Sequence, residues 1–163
     1  MFEAWKKHLK RGGGKKKEIL APVEGLAVPL SEVKDPAFSQ EILGKGMAII
    51  PLKGRIVAPV SGVLSVMIET MHAVSITADN GAVVMIHVGL DTVQLKGEGF
   101  QTFKKQGEWV KEGELLLEFD LEGIKAKGYD LVTPVIILNT MEYPNMKCHV
   151  GKQIMELEPI IEL

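Results

Sequence analysis

The stretch Ala73-Val74-Ser75-Ile76-Thr77-Ala78-Asp79-Asn80-Gly81-Ala82-Val83-Val84-Met85-Ile86-His87 decides how this chain is read. Two runs rich in β-branched and aliphatic residues flank Asn80-Gly81, a pair that favours a tight antiparallel turn, so the segment is expected to be a β-hairpin. A two-residue type I′ loop pairs Asp79 with Ala82 and sets Val74 opposite His87, which makes His72 a diagonal neighbour of His87 on the same face. A four-residue loop sets the two histidines directly opposite. Either register brings the imidazoles within reach, because diagonal same-face neighbours lie roughly 7–8 Å apart at the backbone. A three-residue loop would put them on different faces and separate them.

Strand parity also assigns the surroundings of His87. Met85 and Gly89 share its face, while Val84, Ile86 and Val88 point the other way, into the expected core. Gly89 is read as leaving room beside the imidazole, a use of glycine for close approach. Thr70, two residues before His72 on what is read as one continuous strand, has a hydroxyl that can orient His72 or donate to an anion.

Outward from this hairpin, residues 18–163 form a series of short aliphatic runs separated by Gly, Pro, Asn and Asp, the pattern of an all-β antiparallel sandwich or barrel. Only Phe38 to Leu43, after Asp35-Pro36, suggests a helical turn or two. Ala21-Pro22-Val23-Glu24-Gly25 and Ala58-Pro59-Val60-Ser61-Gly62 repeat one way of leading into a strand, with Pro fixing φ and Gly permitting a bend. Thr133-Pro134-Val135 reads as a third instance. These echoes suggest internal pseudo-symmetry.

A chain of 163 residues suits one domain with its own core. The single cysteine, Cys148, cannot form an internal disulfide, and no apolar run approaches the ~20 residues of a membrane helix. A reducing cytoplasm is the expected compartment. No apolar segment of a secretory signal follows the basic N-terminus, so the chain is expected to begin near Met1.

Charge is unevenly placed. Residues 1–17 hold seven Lys or Arg against Glu3, a local +6 in a chain of net charge -2, leaving -8 for residues 18–163. That acidic balance argues against nucleic-acid binding and for a basic protein partner. Gly12-Gly13-Gly14 and Lys15-Lys16-Lys17 mark residues 1–17 as an appendage to a domain at 18–163. Within it Phe2, Trp5 and Leu9 recur at spacings of three and four beside Lys6, Lys7, Lys10 and Arg11. A short amphipathic helix on an anionic membrane surface, through residues 1–11, and a disordered leader both account for the pattern.

Of the four histidines, His8 and His149 are read as structural or exposed. For His72 and His87 three roles stand: metal ligands completed by a carboxylate such as Asp91, a base and nucleophile pair, or a satisfied polar pair in a β core. Spacing alone does not choose among them. Neither His-x-His nor His-Glu-x-x-His occurs, which argues against a metallopeptidase.

The run Gly81-Ala82-Val83-Val84-Met85-Ile86-His87-Val88-Gly89-Leu90-Asp91-Thr92-Val93 resembles the signature of the glucose-family IIA component of the bacterial sugar phosphotransferase system. The resemblance continues through Leu95-Lys96-Gly97-Glu98-Gly99-Phe100, reaches back to Glu69-Thr70-Met71-His72, and covers residues 18–163. It implies a compact antiparallel β-sandwich or barrel-sandwich hybrid, in agreement with the strand pattern.

It also implies a function. His87 would take a phosphoryl group from the phosphohistidine of HPr, charged in turn by enzyme I and phosphoenolpyruvate. It would pass the group to a cysteine on a IIB domain of a membrane sugar permease. By the same resemblance the phosphate sits on Nε2, His72 hydrogen-bonds the phosphate or the imidazole, and Thr70 supports His72. No cofactor is implied beyond this covalent phosphohistidine. Phe38, Ile42, Leu43, Ile68, Met85 and Val93 match an apolar docking rim, and Asp35 and Asp91 match acidic groups that meet a basic partner. Ile68 and Met85 are aliphatic where some relatives carry Phe. Some free-standing relatives have a basic leader that contacts anionic lipid.

Three further readings follow. Gly107-Glu108-Trp109-Val110-Lys111-Glu112-Gly113-Glu114-Leu115 resembles the strand-turn of lipoyl and biotinyl domains, but their modifiable lysine motifs, Met-Lys-Met and Asp-Lys-Ala, are missing. Phosphorylation of His87 would also suit a regulatory binder whose docking depends on that charge. Zinc held by His72, His87 and a partner's carboxylate is a third reading; no metal site intrinsic to the chain is expected.

Overall fold

Fourteen short strands among the described residues build the scaffold: β1 (Glu18–Leu20), β2 (Gly25–Pro29), β3 (Lys45–Pro51), β4 (Arg55–Val57), β5 (Gly62–Met67), β6 (Ala73–Ala78), β7 (Val83–His87), β8 (Phe100–Thr102), β9 (Trp109–Val110), β10 (Leu115–Phe119), β11 (Thr133–Ile137), β12 (Lys147–Cys148), β13 (Lys152–Ile154) and β14 (Pro159–Glu162). The computed structural model describes residues 17–163; the basic leader expected at residues 1–17 lies, apart from Lys17, outside them. One sheet has eight strands in the order β13-β2-β3-β11-β7-β6-β5-β9, and two three-stranded sheets run β4-β10-β8 and β1-β14-β12. Every pairing is antiparallel. The all-β sandwich expected from the strand pattern is therefore the observed class. No helix among the described residues is long and apolar enough to cross a membrane.

Alternation along the central strands produces two apolar clusters. Met47 and Ile49 of β3, Val84 and Ile86 of β7 and Val135 and Ile137 of β11 turn into the main core. Ala48, Ile136 and Met85, one residue out of phase, pack on the other face beneath Val28, Leu30, Val33 and Phe38. Burial on both sides explains why β11 reads as an unbroken apolar run rather than an alternating one.

The segment covering the second face carries a short helix, α1 (Pro36–Ser39). Asp35 caps it, its Oδ1 accepting from the Ala37 N–H at 3.0 Å, and Pro36 stands at the first helical turn, where its missing N–H costs nothing. The expected helical turn from Phe38 to Leu43 thus starts two residues earlier and ends sooner. A second helix, α2 (Leu121–Ala126), capped by Asp120 through the Gly123 N–H at 3.1 Å, was not foreseen.

The two Ala-Pro-Val-x-Gly segments are equivalent loops. The Leu20 N–H donates to the Pro59 carbonyl and the Val57 N–H to the Pro22 carbonyl, both at 2.9 Å, so each loop closes on the other. The likeness extends to their neighbours: Ala58 exchanges hydrogen bonds with Gly113 and Glu114, and Ala21 with Leu157 and Glu158. Thr133-Pro134-Val135 is different. It lies inside β11, fully buried, with Pro134 just beyond the residues that pair with β7, where its missing N–H breaks no ladder bond.

Candidate functional site

The β6–β7 hairpin exists, but its loop has three residues. Ala73 pairs with His87 and Thr77 with Val83; the Ala78 N–H donates to the Ala82 carbonyl at 2.8 Å, leaving Asp79, Asn80 and Gly81 as the loop. The Gly81 N–H donates to Ala78 at 3.0 Å, Gly81 has φ 100°, and the Asn80 Oδ1 accepts from the Ala82 N–H at 3.0 Å. This is a turn followed by a left-handed residue, which the same Asn-Gly pair serves as well as it serves a type I′ turn.

By parity that register should part the histidines, yet their ring centroids are 4.9 Å apart, nearly edge to face at 83°. The reason is that β6 begins only at Ala73. Residues 68–72 form a turn instead of a continuation of the strand, with Met71 at φ 63°, so the pleat does not govern the direction of His72. The expectation that Thr70 and His72 share a strand is likewise corrected. Their contact is nonetheless present: the Thr70 Oγ1 lies 2.8 Å from the His72 Nδ1, and the His72 carbonyl accepts from the Val88 N–H at 2.7 Å.

His87 ends β7 on the same face as Met85, as parity predicts. Its Nδ1 lies 2.7 Å from the Gly89 carbonyl, an acceptor only, so Nδ1 carries the proton and Nε2 keeps its lone pair. Gly89 owes its place to this turn rather than to room beside the imidazole. Its φ is 79°, and a Cβ there would meet the Thr92 Cγ2 at 2.7 Å and the Asp130 carbonyl oxygen at 3.0 Å. The loop is braced by the Gly89 N–H on Val132 (3.1 Å), the Leu90 N–H on Asp130 (2.8 Å) and the buried Thr92 hydroxyl on the Val88 carbonyl. The two braces to residues 130 and 132 join distant segments and carry no local sequence signal.

Burial disfavours the charged form of both rings. Burial and the neighbouring His87 push His72 down to about 4, and only 4% of its surface is exposed. Burial also lowers His87, opposed by the Gly89 hydrogen bond and by the charges of Asp35 and Asp91.

The six rim positions divide. Phe38 is buried, with its ring centroid 5.1 Å from that of His87, and Met85 is half-buried against the second apolar cluster. Ile42, Leu43, Ile68 and Val93 are exposed large aliphatics. No group of three or more His, Cys, Asp or Glu side chains gathers among the described residues, so a metal held by the histidine pair would need a ligand from elsewhere. His149 lies apart and pairs with Glu162 at 3.0 Å.

A family described as phosphoenolpyruvate-dependent sugar phosphotransferase system, EIIA 1, matches residues 17–143. The chain is 44% identical over 158 residues to the PTS system beta-glucoside-specific EIIBCA component of Halalkalibacterium halodurans, covering 97% of this chain but only 25% of that one. It is 43% identical over 122 residues to the PTS system glucose-specific EIIA component of Oceanobacillus iheyensis, covering 75% of this chain and 74% of that protein. Among solved structures it is similar to glucose permease IIA from Mycoplasma capricolum, with a TM-score of 0.80 and 33% identity over 88% of this chain and 93% of that one.

Proposed function

The chain belongs to the EIIA 1 family of the phosphoenolpyruvate-dependent sugar phosphotransferase system, and from that membership we propose that His87 is its phosphoryl carrier, accepting the group on Nε2 from HPr and donating it to a cysteine of a IIB domain. The observation that carries the reading is the state of the His87 ring: neutral through burial, its Nδ1 proton engaged by the Gly89 carbonyl, its Nε2 lone pair free. A phosphoryl transfer with a loose, in-line transition state asks the protein mainly for positioning and charge stabilisation. A ring fixed at one nitrogen meets the first demand.

His72 and Thr70 address the second. His72 is neutral at cytoplasmic pH and carries one ring proton. If the Thr70 hydroxyl donates to Nδ1, that proton is on Nε2, and the edge of the His72 ring becomes a hydrogen-bond donor for phosphate beside His87. Buried Phe38, half-buried Met85 and the exposed aliphatics Ile42, Leu43, Ile68 and Val93 would form a docking rim that excludes water from the labile phosphoramidate. Asp35, Asp91 and the -8 charge of residues 18–163 favour a basic donor such as HPr. Phosphorylation adds negative charge to this rim, so docking of other partners there would weaken when His87 is loaded.

The IIB partner draws support from the EIIBCA relative, whose name joins the two components in one chain. Basic residues 1–11 would hold the protein at an anionic membrane; equal liposome partitioning with and without residues 1–14 would remove that part. The central test incubates the chain with enzyme I, HPr and labelled phosphoenolpyruvate and maps the modification by mass spectrometry. An acid-labile phosphate on His87, lost in His87→Ala, is expected; no phosphorylation by any HPr would overturn the reading, and a lipoyl or biotinyl adduct would replace it.

A further inference from the structure

Between β5 and β6 the chain runs Ile68-Glu69-Thr70-Met71-His72. The Met71 N–H donates to the Ile68 carbonyl at 2.8 Å and the Ile68 N–H to the Ala73 carbonyl at 3.2 Å. Met71 adopts φ 63°, a conformation that an unbranched side chain without a short polar group seldom takes. It is held there from outside. The Met71 side chain packs against the main core, and the glycine nearest to it, Gly97, leaves space for it: a Cβ on Gly97 would lie 3.0 Å from the Met71 Cε.

The two residues flanking Met71 are the two that serve His87. Were Met71 extended, residues 70 and 72 would stand on one face about 6.6 Å apart along the strand, and the β6–β7 register would put His72 across the sheet from His87. Instead the Thr70 hydroxyl closes on the His72 Nδ1 at 2.8 Å, and the His72 ring meets the His87 ring at 4.9 Å. We infer that the left-handed backbone at Met71 sets Thr70 and His72 against His87, making Met71 a positioning residue for departure of the phosphoryl group. This rests on the phosphocarrier reading above. Strained backbone beside a reacting group persists only where its surroundings over-determine it, and here the Met71 side chain packs on the main core with its Cε beside Gly97, 26 positions along the chain.

Backbone and side-chain roles predict opposite rankings of three variants. Met71→Ile keeps an apolar side chain but resists the left-handed region, whereas Met71→Gly and Met71→Asn accept it and discard the packing. All three should take phosphate on His87 from HPr. Transfer onward to a purified IIB domain that accepts phosphate from the wild type should fall roughly tenfold or more in Met71→Ile and stay within about twofold in the other two. The ring 15N shifts of His72 should move only in Met71→Ile; that readout decides alone if no IIB in the panel accepts phosphate. Full transfer by Met71→Ile, or loss in Met71→Gly and Met71→Asn, would overturn the inference, and the latter pair decides if Met71→Ile does not fold. Failure of the wild type to load His87 would count against the phosphocarrier reading instead, before any variant is compared.

Discussion

At the C-terminal end of β6 the Gly81 N–H donates to the carbonyl three residues back and Gly81 turns left-handed; at its N-terminal end Met71 does the same against Ile68. After Gly81 the turn closes at once, the Ala82 carbonyl accepting from Ala78 one residue before β7. After Met71 it passes through one additional residue, His72, before Ala73 closes on Ile68. The hairpin tip uses the residue that takes this conformation without strain, and a Cβ there would meet little beyond the Tyr143 hydroxyl at 3.1 Å. The turn that delivers a histidine uses a costlier residue, whose side chain packs on the main core. One backbone device thus serves twice: once to reverse the chain, once to aim a side chain.

Acid should separate the two ends most. His72, at about 4 in the folded protein against 6.5 ordinarily, stays neutral while the unfolded chain takes a proton. Stability is therefore full above pH 6.5 and is lost as pH falls toward 4, by on the order of 3 kcal/mol from this group alone. Amide exchange should show Met71 and Val88 losing protection in that window before Ala78 and Gly81; simultaneous loss would make the ends equivalent. Next in size, His72→Gln should leave loading from HPr near normal but slow transfer to IIB by about a hundredfold, as expected for loss of a preorganised donor to developing charge. Normal onward transfer in stopped assays would refute the role given to His72. The smallest effect is at the tip. Gly81→Ala should cost about 1–2 kcal/mol in urea unfolding with phosphoryl transfer unchanged, and an effect on transfer would join the tip to the site.

The hairpin was legible because its signal is local: two β-branched runs and an Asn-Gly pair. Its loop length was not, since Asn80-Gly81 satisfies both a type I′ turn and the observed turn with Gly81 left-handed, and the Asn80 side chain's bond to Ala82 decides between them only in the fold. The meeting of His72 with His87 came out as expected, but by another route. Parity holds only on a strand, and β6 stops one residue short of His72. Met71 gave no warning because methionine carries no local signal for a left-handed backbone, and its side chain packs on residues distant in sequence. The Thr133-Pro134-Val135 match failed for a related reason: a Pro-Val pair shared with two loops sits here in β11, where Val132, Ile136 and Ile137 around it are buried. The carbonyl that fixes the His87 tautomer lies only two residues away, yet what turns it there is the 130–132 segment.

The bond from His87 Nδ1 to Gly89 also fixes the order of events. With one nitrogen occupied, the ring offers a single berth, on an imidazole that neighbours both Phe38 and His72. On the proposed relay a donor and an acceptor must use that berth in turn, so the traffic is alternating by construction: no ternary complex, and a cargo that waits on the ring between two visitors.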